Sequence, residues 1–298
     1  MVKKRHIRVG RLLDVPFSAP VGTPTGVEVL RLSELRNRVS GDVLSTPQRP
    51  DFHHLLTLTE GSLRQTVDFA TYILEPRSWL WIRPGQVNQW GDLAHVDGSL
   101  VLFQQGFLSP ATVAGARIDD PHAPVLHHPS PGDVAALRLA TDHLTEEFDA
   151  FGRLPIEIHT ATLRHLLSVL VLRLACLPTP AGAPVAEISP TFMIFRDAVE
   201  AHFTHTRRVE DYARELGYSP RTLSRATLAG AGLGAKDYID RRVVLEAKRL
   251  LAHSEQTATR IADHLGFASA THFSKYFHQR TGQTPITFRN AIRGHTEP

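Results

Sequence analysis

The chain has 298 residues, of which 42% are apolar, and a formal net charge of +3 at pH 7. This length suggests two domains, and the apolar content excludes a fully disordered chain. Cys176 is the single cysteine, which excludes an intrachain disulfide framework and a cysteine-rich zinc site and favours a cytoplasmic location. The basic N-terminus precedes no apolar segment, and Ser168 and Arg173 interrupt the longest apolar run. We therefore expect neither a signal peptide nor a membrane span.

Residues 25–120 predict mostly β-strands. Short runs of β-forming residues alternate with Gly and Pro turns, which is typical of a small β-barrel or sandwich. Within one run, alternation places Trp79 and Trp81 on the same face and Leu80 on the other. The runs are 55–59, 67–74, 79–82 and 99–103.

Two helices are predicted after these strands. The first covers 133–151, with Ser130 and Asp133 available as N-caps, and the second covers 157–177. The leucines of the second helix form one continuous stripe. This stripe predicts either a helix packed on the core of its own domain or a helix pair that joins two copies of the chain. The leucines are Leu163, Leu166, Leu170, Leu174 and Leu177. A proline-rich segment, 179–190, then predicts a stiff linker.

Charge is divided unevenly along the chain. Residues 1–199 carry 18 Lys and Arg against 20 Asp and Glu, a net charge of −2. Residues 200–298 carry 15 against 10, a net charge of +5. A basic C-terminal third favours a polyanionic partner.

An internal repeat occupies this basic third. Residues 213–225 and 262–275 both begin with Ala, two variable residues, Leu, Gly and an aromatic residue. Gly217 and Gly266 can take the positive φ of a sharp turn, and a serine two or three residues later can cap the next helix. Each copy therefore predicts a helix-turn-helix, whose second helix enters the DNA major groove. The alternative is a helical bundle that merely reuses a helical hairpin.

The segment between the two copies, 236–253, predicts a long helix. Eighteen helical residues span about 27 Å, which suits a strut that holds two recognition helices near one duplex turn of about 34 Å.

Residues 191–292 resemble the DNA-binding domain of AraC/XylS-type transcription regulators. The resemblance rests on Leu216–Arg225, Arg242–Leu251, Ile261–Phe267, His272–Phe277 and Gly282–Arg289. The family has a phenylalanine where this chain has Thr227, and Leu228 is a candidate to fill that space. The second copy keeps its aromatic residue, Phe277.

The resemblance implies two recognition helices in successive major-groove segments. Carried over by position, Arg221, Ser224 and Arg225 would face bases in the first, and Thr271, His272, Lys275 and Gln279 in the second. Arg and Lys suit guanine, and Gln suits adenine. Arg242, Arg289 and the two capping serines, Ser219 and Ser269, would contact phosphate or make internal pairs. The predicted DNA-binding set is Ser219, Arg221, Thr222, Ser224, Arg225, Ser269, Thr271, His272, Lys275 and Gln279.

The family places a cupin-like domain that binds an effector and dimerises before the DNA-binding domain. The expected fold is therefore α+β. A cupin-like β-barrel with dimerisation helices covers 1–178, the linker covers 179–190, and an all-α domain with two helix-turn-helix units joined by a linker helix covers 191–298. Aromatic walls with a few polar groups are typical of effector pockets. The candidate lining residues are His53, Trp79, Trp81, Gln89 and Trp90.

A metal-dependent cupin enzyme with a DNA-binding tail is the alternative function. It would use His53, His54 and Glu60 as ligands, but the second cupin-like motif, 84–88, has no histidine, so we expect no metal and no cofactor. His122, His127 and His128 are expected in a solvated loop.

The expected function is a cytoplasmic, sequence-specific transcription regulator without enzymatic activity, and activation is the commoner outcome in the family. Its expected partners are double-stranded promoter DNA, RNA polymerase, a small-molecule effector and a second copy of the chain. A purely architectural DNA binder would lack sequence preference.

Overall fold

In the computed structural model the described residues are 13–19, 24–118, 120, 123–177 and 189–293. They belong to two compact units, one up to residue 177 and one from residue 189. Most of the predicted linker (residues 179–188 of 179–190) and His122 lie outside the described residues.

The strands are β1 (Leu13–Val15), β2 (Val27–Arg31), β3 (Gln48–Pro50), β4 (His53–Glu60), β5 (Leu63–Val67), β6 (Ala70–Leu74), β7 (Trp79–Ile82), β8 (Asn88–Gln89), β9 (Asp97–Phe103) and β10 (Leu126–His127). The helices of the first unit are α1 (Leu32–Arg38), α2 (Gly41–Leu44), α3 (Pro110–Ala116), α4 (Pro131–Asp149) and α5 (Ile156–Ala175). The helices of the second unit are α6 (Pro190–His202), α7 (Val209–Leu216), α8 (Pro220–Ala231), α9 (Ala235–His253), α10 (Ala258–His264), α11 (Ala270–Thr281) and α12 (Pro285–Arg293).

The first unit contains two five-stranded sheets. Their strand orders are β1-β3-β8-β5-β6 and β10-β7-β4-β9-β2. On the second sheet, Trp79 and Trp81 pack into a core with α4 and α5. Leu80 packs on the opposite side, in the core shared with the first sheet. The mixed α+β class and the alternation at these tryptophans are therefore confirmed, and the cupin-like assignment stays a prediction.

The predicted strand 67–74 is wrong, because this run contains a hairpin turn. β5 ends at Val67 and β6 begins at Ala70, with Asp68 and Phe69 between them at φ of +46° and +72°. The Asp68 carboxylate accepts hydrogen bonds from the Val87 backbone N–H at 3.1 Å and from the Gln86 amide at 3.0 Å. These bonds stabilise a left-handed conformation that non-glycine residues adopt at a cost.

The two helices predicted after the strands are present as α4 and α5. Ser130 Oγ accepts the Asp133 backbone N–H and caps α4, as its sequence predicts. Leu163, Leu170 and Leu174 are fully buried in the core of their own unit. The leucine stripe therefore belongs to the core, and the intermolecular interpretation of that stripe is wrong.

Buried histidines distinguish the cores of the first unit. The His54 ring lies 4.9 Å from Phe52 and 6.2 Å from Trp90 between ring centroids, and burial lowers its pKa to about 3. His127 is not in a solvated loop: it lies buried in β10, opposite Trp79 in β7. Burial and then the charge of Arg83 lower its pKa to about 4. His128, in contrast, is exposed as expected.

These histidines predict acid sensitivity of the first unit. Their pKa values in the folded chain lie below the ordinary value near 6.5, so the unfolded chain binds protons first as the pH falls. The neutral histidines therefore contribute fully to the free energy of unfolding above about pH 6.5. That free energy falls toward pH 4, by up to about 1.4 kcal/mol per pH unit for each histidine. We expect urea unfolding, followed by tryptophan fluorescence, to show this loss. His54→Phe should take up about one proton fewer on unfolding, so its free energy of unfolding should depend less steeply on pH. Equal slopes of unfolding free energy against pH for both proteins would contradict the prediction.

Candidate nucleic-acid interface

The two sequence repeats fold as two helix-turn-helix units, α7–α8 and α10–α11. In both units the turn glycine has a positive φ, +71° for Gly217 and +68° for Gly266. The residue after each glycine closes the turn with the same bond. Tyr218 N–H donates to the carbonyl of the first repeat's alanine at 2.9 Å, and Phe267 N–H donates to that of the second at 2.8 Å. The positive φ predicted for both turns is confirmed.

The second helix of each unit has matching ends. Ser219 Oγ accepts the backbone N–H of Thr222, and Ser269 Oγ accepts that of His272, both at 3.1 Å. Both serines thus satisfy one of the free N–H groups of a helix N-terminus. Left-handed glycines end both helices, at residues 232 and 282.

Helix α9 connects the two helix-turn-helix units and holds the second, α10–α11, through Asp240. One Asp240 oxygen accepts hydrogen bonds from Lys236 Nζ at 2.6 Å and from Tyr276 Oη at 2.7 Å. Its other oxygen pairs with Arg280. Burial and this bond to Asp240 raise the pKa of Tyr276 above its ordinary value. With 19 residues, α9 spans about 28 Å.

Arg207 makes a second connection between the units. It lies just before the N-cap of α7, yet its guanidinium donates to the carbonyls of Leu265 and Gly266 at 2.7 and 3.0 Å. The same guanidinium stacks on the Phe267 ring at 3.8 Å. The segment just before the first helix-turn-helix unit is therefore fixed to the turn of the second helix-turn-helix unit.

The two arginines that the sequence analysis assigned to phosphate contacts or internal pairs both make internal contacts. Arg242 pairs with Glu200 at 2.8 Å and with Glu246 at 3.2 Å. Arg289 donates to the carbonyls of Leu251 and Gln256. Of the two roles left open for them, these arginines make internal pairs that brace α9 against its neighbours.

The outer faces of α8 and α11 are polar and basic. Arg221 and Arg225 are exposed on α8, while Thr222 and Ser224 are partly exposed. The exposed residues of α11 include Thr271, His272, Lys275 and Gln279. The leucine and phenylalanine between them, at 223 and 273, are fully buried, so the core anchors each helix and leaves this face outward.

Comparison with known proteins identifies this arrangement. Residues 212–291 match the family described as "Helix-turn-helix domain". The regulatory protein PocR of Salmonella typhimurium is 31% identical over 100 residues, covering 34% of this chain and 33% of PocR. The transcriptional activator RhaS of Shigella boydii is 33% identical over 96 residues, covering 32% of this chain and 34% of RhaS. The C-terminal unit is an AraC/XylS-type DNA-binding domain.

The matched segment is about a third of the length of either relative. ToxT of Vibrio cholerae, solved with a bound unsaturated fatty acid, aligns over 93% of this chain and 99% of that chain. Its sequence identity is 13%, and the TM-score is 0.38.

The AraC/XylS-type domain of this chain departs from the family at Thr227. Thr227 is fully buried, and its Oγ1 donates to the Leu223 carbonyl at 2.7 Å. Leu228 does not fill the space of the missing ring, because it is 59% exposed. Phe192 of α6 packs against α8 at Gly230, three residues after Thr227, since a Cβ built on Gly230 would lie 2.5 Å from its ring. Residues three apart share a helix face, so Gly230 signals where an aromatic side chain from another helix enters.

The five predicted effector-pocket residues are not brought together. Trp81 Nε1 donates to His53 Nδ1 at 3.2 Å, and Trp79 lies on the same side of the sheet. Trp90 lies in the other core, between the two sheets. Gln89 is exposed. A site built on His53, Trp79 and Trp81 stays a prediction, whereas a pocket lined by all five residues does not form.

The ligand set of the alternative enzyme is wrong. His53 stacks on Phe103 at 4.6 Å on one side of β4, while His54 faces Trp90 on the other side. Glu60 is exposed at the end of the strand. Two adjacent strand residues point to opposite faces and cannot bind one ion. Among the described residues, no group of three His, Cys, Asp or Glu side chains is arranged to hold a metal.

Proposed function

We propose that this chain is a sequence-specific transcription regulator that reads two adjacent segments of promoter DNA and acts on RNA polymerase in the cytoplasm. The observation that carries the proposal is the pair of helix-turn-helix units joined by α9, each with a basic recognition helix. Base contacts from Arg225 and Lys275 would supply specificity, and phosphate contacts would fix the register.

In vitro selection from a random duplex library tests this proposal. It would use the full chain at a fixed salt concentration near 150 mM, because non-specific binding is strongly salt-dependent. We expect enrichment of two sequence blocks about one helical turn apart. Binding without enrichment would indicate an architectural protein instead.

We also propose that the first unit binds a small organic effector beside His53 and Trp81. His53 supports this site, because it is fully buried and its Nε2 has no hydrogen-bond partner among the described residues. A buried polar atom without a partner is costly and is readily satisfied by a ligand or a water molecule. A ligand that binds the folded unit must raise its melting temperature. If a broad metabolite screen never shifts the tryptophan-monitored transition, the effector proposal fails.

A second copy of the chain is the proposed partner of α5. Opposite its buried stripe, α5 carries a second series of residues spaced alternately four and three apart, as in a coiled-coil seam. We call this series, which extends to the C-cap residue of the helix, the α5 seam: Ile158, Thr162, His165, Val169, Leu172 and Cys176. The three aliphatic members are exposed, and both faces together explain why α5 is apolar and long enough to cross a bilayer by those criteria alone. A dimer would bury the seam.

The seam predicts a dimer that a single charge disrupts. Val169→Glu places a carboxylate at the middle of the seam, so we expect it to convert the dimer to a monomer in sedimentation equilibrium. Leu139→Glu is the matched control, because Leu139 is also exposed but lies on α4. A monomeric wild-type chain, or an unchanged dimer in Val169→Glu, would contradict this interface.

A further inference from the structure

A groove of about 590 Å³ opens beside the second recognition helix. One wall is α11, which contributes His272, Lys275 and Gln279. The facing residues come from the N-terminal ends of α7 and α9, with Arg208 and Lys236 among them. The groove therefore adjoins the face of α11 that is predicted to contact bases, but most of its cations lie outside the predicted DNA-binding set.

Two stacked arginine–aromatic pairs line this groove. Phe267 and Tyr276 line it, and the guanidiniums of Arg207 and Arg280 stack on their rings at 3.8 and 3.7 Å. Both guanidiniums are held by hydrogen bonds, Arg207 to backbone carbonyls and Arg280 to Asp240. Their positive charges are thus held in place at the groove, and a ligand need not order these side chains.

Among the groove's cations outside the predicted DNA-binding set, Arg208 is the most exposed. Its side chain is 76% exposed, and its nearest carboxylate oxygen, on Glu210, is 4.0 Å away. Lys236 is half exposed at the same end of the groove and remains tied to Asp240. Glu210 is the one acidic residue that lines the groove in the described part of the chain. The net charge of the lining residues therefore favours an anion.

The helix ends at this groove reinforce that preference. α8, α10 and α11 have side-chain caps from Ser219, Thr257 and Ser269. Among the described residues, the N-termini of α7 and α9 have none, and both border the groove. Uncapped helix N-termini present free N–H groups and a partial positive charge, which bind phosphate groups.

We propose that this groove binds a backbone phosphate of the DNA strand that flanks the major-groove segment read by α11, with Arg208 as its main side-chain contact. The inference rests on the proposed DNA-binding function. It adds a contact that positions the second helix-turn-helix unit on the duplex without reading sequence.

The salt dependence of DNA binding tests this contact in the full chain. Each phosphate contact contributes about 0.9 to the slope of log K against log salt concentration. Arg208→Gln should lower that slope by about 0.9 and weaken binding to all sequences by a similar factor, with an unchanged selected motif. Arg214→Gln is the matched control, because Arg214 is 77% exposed on α7 but does not line the groove. Glu210→Gln should have the opposite effect and tighten binding.

Each outcome separates the inference from the function. If wild type selects a motif but Arg208→Gln and Arg214→Gln have the same slope, the phosphate site is wrong and the regulator proposal stands. If wild type selects no motif but Arg208→Gln still lowers the slope, the site stands and sequence-specific function fails. Absence of DNA binding by wild type would overturn both. Unchanged thermal unfolding of each variant excludes a folding defect.

Discussion

Gly266→Ala is expected to unfold the AraC/XylS-type domain at a much lower temperature than Gly217→Ala. Both glycines have a φ near +70°, where an alanine costs about 1–2 kcal/mol. A Cβ at position 217 would meet no heavy atom within 4 Å, whereas one at position 266 would lie 2.1 Å from the Thr204 carbonyl oxygen. Thr204 belongs to the backbone segment before α7, so the clash pushes the two helix-turn-helix units apart.

Overpacking of this kind adds about 1–3 kcal/mol, so with the cost of the left-handed backbone Gly266→Ala should destabilise the domain by about 2–5 kcal/mol in total. For a domain of this size that lowers the melting temperature by at least about 8 °C. Circular dichroism at 222 nm would follow the helices. The chain's three tryptophans, at 79, 81 and 90, all lie in the first unit, so their fluorescence is an internal control that should not change. Equal melting temperatures for the two alanine variants would contradict the contact with Thr204.

Arg225→Ala and Lys275→Ala are expected to give the largest losses in DNA binding. Each removes an exposed cation from the middle of a recognition helix. A lost base contact costs about 1–3 kcal/mol on the best site and relaxes preference at the contacted base pair. Because the two residues lie on different helices, each variant should blur a different block of the selected sequence.

Binding to the best site and to scrambled duplexes would measure both effects. Arg214→Ala controls for the loss of one positive charge on an exposed helix face outside the recognition helices. If Arg225→Ala and Lys275→Ala weaken binding to all duplexes equally, they contact phosphate, and the base-contact assignment is wrong.

The sequence predicts the local features of the DNA-binding domain well. The left-handed glycines and the caps at Ser219 and Ser269 depend on residues within a few positions of each other, and so does the alternation at Trp79 and Trp81. Side-chain chemistry and spacing are sufficient to predict such features.

Features that depend on distant residues were not predictable in this way. The turn at Asp68 is held by residues 18 and 19 positions later in the chain, and the contact between Phe192 and Gly230 joins two different helices. The helix α5 has two apolar faces with helical spacing, so periodicity alone could not tell which one the core uses. The bond from Arg207 to Gly266 joins residues 59 positions apart, and no local pattern indicates it.

The central claim is that α9, Asp240 and Arg207 hold the two helix-turn-helix units at one separation. A spacing series tests it most directly. The full chain would be titrated with duplexes carrying both selected blocks, with zero to ten base pairs inserted between them. We predict that affinity falls at least about tenfold with five inserted base pairs, because half a helical turn puts the second block on the opposite side of the duplex. The affinity of the five-base-pair duplex should match that of a duplex with one block. Affinity that does not change with spacing would contradict a rigid pair of reading helices.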